Sequence, residues 1–300
     1  MGRSHRIVFL CELRVLRGSI RILSGSLHMA NYTPDQLTNA LSETYAFLEV
    51  QQSGQVLTIS LNRAEKKNAL HPHMVNELAF AMSYAKHEKS VWAVVLEAKG
   101  DVFCAGADLK AFMGGDSNYT STIVKPNGEV LMGELFNKVY KPVIAKVGGD
   151  VFAGGFLFLA GSTYVVAAEG LRFGLPEVKR GLFPYQVMAA LLNVMPARTV
   201  IDWCIRGYDL PVERAMELGL VTHRVKRDDL DSTVQNLLDE LLVNSPTAIR
   251  MGLEAFDHIR PKEAEHAYLL QMLQKTVGTK DGMEGLTAFR EKRAPMWTGE

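Results

Sequence analysis

Residues 147–160, VGGDVFAGGFLFLA, set the pair Gly154-Gly155 between the end of an extended apolar segment and the start of an apolar helix. A helix start carries unpaired N–H groups and a partial positive charge, so this junction suits an oxygen on which negative charge develops. Upstream, FCAGADL at 103–109 follows a strand that ends near Ala98 and a turn at Gly100-Asp101. Its small residues at 105–107 let the backbone come close to a ligand with an N–H pointing outward. Downstream, FGLPEVKRGL at 173–182 places one carboxylate, Glu177, among apolar neighbours and a proline, the setting of a candidate general base. Any one of these turns would serve strand-to-helix geometry alone. Their ordered occurrence is what points to a site.

Around them the chain alternates strand and helix. Residues 46–61 read as two short strands about Gly54, a hairpin whose second arm, VLTISL, alternates apolar side chains. Pro72 opens a helix with Val75, Leu78, Ala79 and Met82 at helical spacing, and the apolar run from Ala93 to Leu96 follows as a strand. The pattern then predicts a helix over 133–140, a strand over 143–147, a helix over 154–161 and a strand over 164–168, hence an α/β core. Beyond about residue 185 only 220–225 reads as a strand. A helix starting at Ser245-Pro246 carries Ile249, Leu253 and Phe256 on its apolar stripe, and the last helix has a capping box of Asp281 and Glu284 and stops before Pro295. Residues 114–128 read as a polar loop of the kind that borders ligand sites. The expected organisation is an N-terminal extension at 1–45, a core at 46–240 and a helical region at 241–300.

Bulk properties narrow the function classes. With 300 residues and 47% hydrophobic content the chain can bury a large core. Its 33 basic and 33 acidic side chains cancel, which removes any global electrostatic case for nucleic acid or membrane surfaces, and no run reaches the roughly 20 apolar residues of a membrane span. Three cysteines, Cys11, Cys104 and Cys204, fit neither a disulfide framework nor a zinc site, so the expected compartment is cytoplasmic and no metal is expected. Five arginines within the first 28 residues stand against one acid, which reads equally as an organelle address, mitochondrial or peroxisomal, or as sequence upstream of a second start at Met29.

The run LNRAEKKNAL (61–70), FCAGADL, the glycine-led helix, the FG-x-PE of residues 173–177, ELGLV (217–221) and EGLTAFREKR (284–293) together resemble the enoyl-CoA hydratase/isomerase, or crotonase, superfamily from about residue 46 onward. The resemblance implies a superhelix of repeated ββα units with a C-terminal helical trimerisation region, homotrimers that pair into hexamers, and an acyl-CoA substrate with no separate cofactor. It implies that the backbone amides of Ala107 and Gly154 hold the thioester carbonyl and that Glu177 is the catalytic acid–base. It further implies that Arg63, Ala105, Asp108 and Leu109 border the coenzyme A moiety and that Lys292 reaches one of its phosphates.

One family position departs from the pattern. Hydratases of this kind hold water between two glutamates, one in the helix after the glycines and one in the PE motif. Here the first position is Leu157, which can neither hold nor activate water. A single carboxylate can still move a proton from the α-carbon to the γ-carbon, so double-bond isomerisation is expected over hydration. Hydration of an unusual branched or aromatic enoyl-CoA is the alternative, with Glu134 or Asp150 as a second acid. Tyr185 and Gln186 add polar groups in a loop where hydratases carry glycines. A binding protein that kept only the thioester pocket is the non-catalytic alternative. A peptidase on the same spiral is not expected, because Ala153-Gly154-Gly155 carries no nucleophile and no histidine is placed to activate Cys104.

Overall fold

The computed structural model describes residues 32–112, 118–128, 130, 132–136, 138–180, 183–259, 279–291 and 293–300. The arginine-rich start lies outside them. Strands β1 (Leu48–Ser53) and β2 (Val56–Leu61) pair antiparallel through a two-residue turn whose Gly54 has φ 54°. That left-handed conformation is what a tight hairpin turn asks of its residue, and glycine adopts it without a Cβ clash.

From β2 onward each turn of chain gives one strand to a large sheet and one to a small sheet. β3 (Ala93–Ala98), β5 (Val143–Val147) and β7 (Tyr164–Ala168) join β2 in parallel, and β10 (His223–Val225) closes the order β1-β2-β3-β5-β7-β10. A few residues after each of the middle three strands come β4 (Val102–Cys104), β6 (Asp150–Phe152) and β8 (Arg172–Gly174), parallel to one another, with β9 (Asp209–Pro211) antiparallel at the edge. This is the ββα spiral. A side chain at Gly149 would meet Asp101 O and Phe103 N at 2.7 Å, so the β5–β6 turn needs glycine to lie on the chain entering β4.

The parallel strands of the large sheet are apolar on both faces because both are covered. On one side Leu57, Ile59, Val94 and Leu96 pack with Leu78 and Met82 of the helix Pro72–His87 in the main core. On the other, Ala93, Val95, Ile144 and Val166 meet Leu230, Val234 and Leu238 of the helix Leu230–Leu242. Alternation along each strand sends successive side chains to opposite cores.

Three expectations change. Among the described residues of 133–140 there is no regular helix: a 3-10 turn spans Met132–Glu134, and Lys138 and Tyr140 take φ of 61° and 53°, a left-handed conformation that ends helical hydrogen bonding. The strand expected over 220–225 is only His223–Val225; just before it the Thr222 hydroxyl accepts from the Val165 amide (2.9 Å), where a strand would offer a main-chain carbonyl. The last helix runs Lys280–Glu291, and Asp281 sits buried inside its first turn instead of capping it. Its carboxylate accepts hydrogen bonds from the Thr298 amide (2.7 Å) and hydroxyl (3.0 Å), the Gly299 amide (3.0 Å) and the Thr247 hydroxyl (3.1 Å). Glu284 likewise turns to Arg293 (2.6 Å) and the Met296 amide (2.8 Å), so both acids hold the tail against the body.

Removing a buried charged acceptor leaves several donors without partners. Asp281→Ala is expected to lower unfolding free energy by about 2–4 kcal/mol, measured by denaturant titration. Asp281→Asn is expected to cost less, since it keeps one acceptor.

Candidate active site

The small sheet positions the site. β4, β6 and β8 are parallel neighbours, and their C-terminal ends release residues 105–107, 153–155 and 175–177 side by side. Adjacent strands lie about 4.8 Å apart, so three segments 20 to 70 residues apart in sequence emerge as one cluster. Ligands in sheets of parallel strands bind at this end, where the connections diverge.

The first bend is held from outside by the 63–70 loop. The Ala105 amide donates to Lys67 O (3.0 Å), Leu70 N to Gly106 O (2.8 Å) and Asp108 N to Leu70 O (3.0 Å), a parallel bridge between Leu70 and Ala107. In such a bridge the central residue on the partner segment, here Ala107, turns its own N–H to the opposite side. That side faces the second bend: a Cβ on Gly154 would lie 3.9 Å from Ala107 N and 3.2 Å from Leu70 Cδ1. The second bend runs through a 3-10 turn, Ala153–Gly155, into the helix Phe156–Gly161. The Gly154 amide belongs to its first turn, where no intrahelical acceptor exists. Neither the Ala107 nor the Gly154 amide donates to a protein acceptor among the described residues.

The two bends touch because neither carries bulk. Gly106 has φ 87°, and a Cβ there would lie 2.6 Å from Ala153 Cβ and 3.3 Å from Gly154 N. Ala153 itself has φ 51°, a left-handed conformation costing about 1–2 kcal/mol for a residue with a side chain. Strain of this kind collects where a backbone amide must be aimed.

Glu177 lies in the 3-10 turn Pro176–Arg180 just after β8, half-buried, with its Oε2 shielded from solvent. The turn packs on the helix Ala197–Arg206, and the carboxylate acts on the Cys204 thiol, which burial chiefly, and Glu177 in addition, push up to about 11. Leu157 is buried in the glycine-led helix, in the same main core as Phe103, Phe156, Phe158 and Trp203. Rings in that core meet edge to face at 4.9–5.7 Å and make the packing beneath the glycine-led helix apolar.

Arg63 and Asp108 face each other across the 63–70 loop and the first bend. Arg63 is 1% exposed, and its guanidinium bonds Asp108 (2.8 Å) and Ala69 O (2.9 Å) over the Phe47 ring. Burial raises the Asp108 carboxyl, but the Ala111 amide and Arg63 outweigh it and hold it below the usual carboxylate range. The pair brings Asp108 and the Ala107 bend against the 63–70 loop and offers no free charge to a phosphate. Ala105 is half-buried behind the bend. The Leu109 side chain and all of Lys292 lie outside the described residues, as does the Glu134 side chain. Asp150 is no second acid: it stands at the opposite end of β6, bound by the Arg172 amide (2.9 Å) and guanidinium (2.7 Å). Tyr185 and Gln186 are exposed at the start of the helix Tyr185–Leu191, and the Cys104 thiol is buried, which pushes it up to about 12.

Asn68 has a role in the site that the sequence alone does not show. It is buried with φ 50°, takes a hydrogen bond from Arg63 N and donates to Lys99 O and Val102 O, all at 2.8 Å. Asparagine's tolerance of left-handed backbone beside a buried loop was the available signal. Asn68→Ala is expected to cost about 2–4 kcal/mol in denaturant unfolding, with Asn68→Asp no better because it loses both donors.

Comparison with known proteins agrees with this geometry. A family model described as enoyl-CoA hydratase/isomerase matches residues 51–300. Among curated proteins, mevalonyl-coenzyme A hydratase of Aspergillus fumigatus is 29% identical over 81% of this chain and 91% of its own. Carnitinyl-CoA dehydratase of Escherichia coli K12 is 29% identical over 84% of this chain and 98% of its own. Among solved structures, an enoyl-CoA hydratase from Mycobacterium tuberculosis is 30% identical with TM-score 0.75, covering 85% of this chain and all of that one. Two amide-bearing bends on a ββα spiral, and a family match across most of the chain, make it a member of the enoyl-CoA hydratase/isomerase (crotonase) family of acyl-CoA enzymes.

Proposed function

We propose that this chain forms an enolate from an acyl-CoA thioester, with Ala107 and Gly154 amides as oxyanion donors and Glu177 as the single acid–base, and that it moves a double bond from the 3,4 to the 2,3 position in preference to adding water. The observation that carries the reading is the contact between the two amide-bearing bends, with the Glu177 turn leaving the next strand. Removing one such donor typically costs about 3 kcal/mol of transition-state stabilisation, and a positioned general base contributes about 100- to 10,000-fold. In the proposed reaction Glu177 takes the α-proton, negative charge moves to the thioester oxygen between the amides, and the same carboxyl returns the proton to the γ-carbon. Buried Leu157 supports isomerisation, because no second carboxylate stands there to orient water.

Water chemistry is the second reading, and the names of two relatives, a hydratase and a dehydratase, favour it. Assembly into homotrimers or hexamers is part of the same proposal.

Glu177→Gln is expected to lower turnover of 3-enoyl-CoA by about 100- to 10,000-fold and to abolish solvent deuterium exchange at the acyl α-carbon, with thermal unfolding near wild type. Exchange that survives the substitution removes Glu177 as the base. Leu157→Glu should raise water addition to 2-enoyl-CoA relative to isomerisation. An unchanged ratio in product analysis counts against residue 157 as the water-holding position.

A further inference from the structure

At the other end of the large sheet the chain builds a second pocket. The catalytic bends follow the C-terminal ends of the strands, whereas Trp92 and Pro142 directly precede β3 and β5. Five to six residues of strand, at about 3.3 Å each, put the two ends roughly 16–20 Å apart. Here the end of the helix Pro72–His87, the start of the helix Pro246–Ile259 and the C-terminal tail enclose a cavity of about 430 Å³. That is within the usual size range of small-molecule sites, roughly 300–1,000 Å³.

The charge in this cavity is one-sided. Lys86, Lys89, Lys141 and Arg250 line it against one carboxylate, Glu300. Glu300 is taken up by Lys89 (3.4 Å) and Lys280 (2.5 Å). Lys86 and Lys141 make no ion pair among the described residues, and Arg250 reaches only Glu254 at 3.8 Å on the surface of its own helix. Lys141 gives two N–H bonds to helix-end carbonyls, Ala85 O (2.5 Å) and Glu88 O (2.6 Å), which leaves its third N–H for the cavity. Helix capping accounts for Lys141 but not for Lys86 and Arg250 beside it. The crowding has a cost: burial first pushes the Lys141 ammonium down to about 8, with Glu88 opposing and Arg250 adding to the fall. Burial and then Lys138 lower Lys86, and burial, Lys86 and Lys141 lower His87.

Desolvated like charges gathered around a cavity are stabilised by a multivalent anion. The apolar part of the lining adds a second feature, since Trp92, Pro142 and Pro246 contribute to it. Gly299, whose φ of 77° suits glycine, brings the tail against the Trp92 Nε1 side of the indole. We propose that this cavity is a second ligand site, distinct from the acyl-CoA site, for a phosphorylated small molecule of nucleotide size, its phosphates between Lys86, Lys141 and Arg250 and its planar ring on Trp92. The site stands independently of which reaction the catalytic bends perform.

The test is calorimetric titration of the full chain at low ionic strength with ADP and, separately, with inorganic pyrophosphate. Saturable binding is expected that substitution at this cavity weakens, which ADP held only at the acyl-CoA site would not show. Lys86→Gln and Arg250→Gln should each weaken it about tenfold, with circular dichroism and thermal unfolding showing both variants folded. Lys141 is left intact because it caps a helix. Trp92→Phe should weaken ADP and leave pyrophosphate unchanged. Absence of saturable binding by either probe, or affinity unmoved in both lysine and arginine variants, overturns the site. Equal affinity for ADP and pyrophosphate overturns the ring contact on Trp92.

Discussion

Everything in the proposed chemistry depends on one close approach, that of Gly106 to the Ala153-Gly154 bend. The distance is set by the missing Cβ of Gly106, because the nearest atom to that position is a methyl carbon only 2.6 Å away. A single added methyl group would push the two bends apart and turn their amides out of register. The left-handed Ala153 is the complementary expense, a local strain that persists because the short parallel strands on either side over-determine it. Donors fixed this way need no reorganisation when charge appears on an oxygen between them.

The same constraint explains the buried polar hardware behind the first bend. A backbone amide can face outward only if its neighbours' groups are satisfied elsewhere. The Leu70 bridge uses the groups on either side of Ala107, Asn68 closes the loop that carries Leu70, and Arg63 ties Asp108 beneath both. An ion pair this buried adds little net stability, yet losing one partner costs about 3–5 kcal/mol. Its value lies in holding one geometry, and that is why two charges next to a coenzyme A enzyme's site face inward.

Much of this was legible in the sequence, and the reasons for the gaps are physical. Long apolar strands such as Ala93–Ala98 and the amphipathic helix at Pro72 declare themselves by period, and Gly106, Gly154 and Glu177 by motif. The small sheet did not, since β4, β6 and β8 are three residues each, too short for alternation to register, although they are what gathers the site. The burial of Arg63 and its pairing with Asp108 could not be read from the sequence, which shows charge but not burial. Asp281 matched a capping box, and only tertiary packing reveals that its acceptors serve the tail. Residues whose role lies in long-range contact, Asn68 foremost, carry almost no local signal.

In the proposed reaction the thioester oxygen, rather than an attacking water, is what the paired amides serve. The most direct measure is the carbonyl stretch of a bound enoyl-CoA labelled with carbon-13 at the thioester carbon, read by difference infrared spectroscopy. Polarisation by two amides predicts a band moved to lower frequency than in solution, with most of the shift lost in Gly106→Ala. A saturated complex whose carbonyl band stays at its solution position would contradict the role of Ala107 and Gly154.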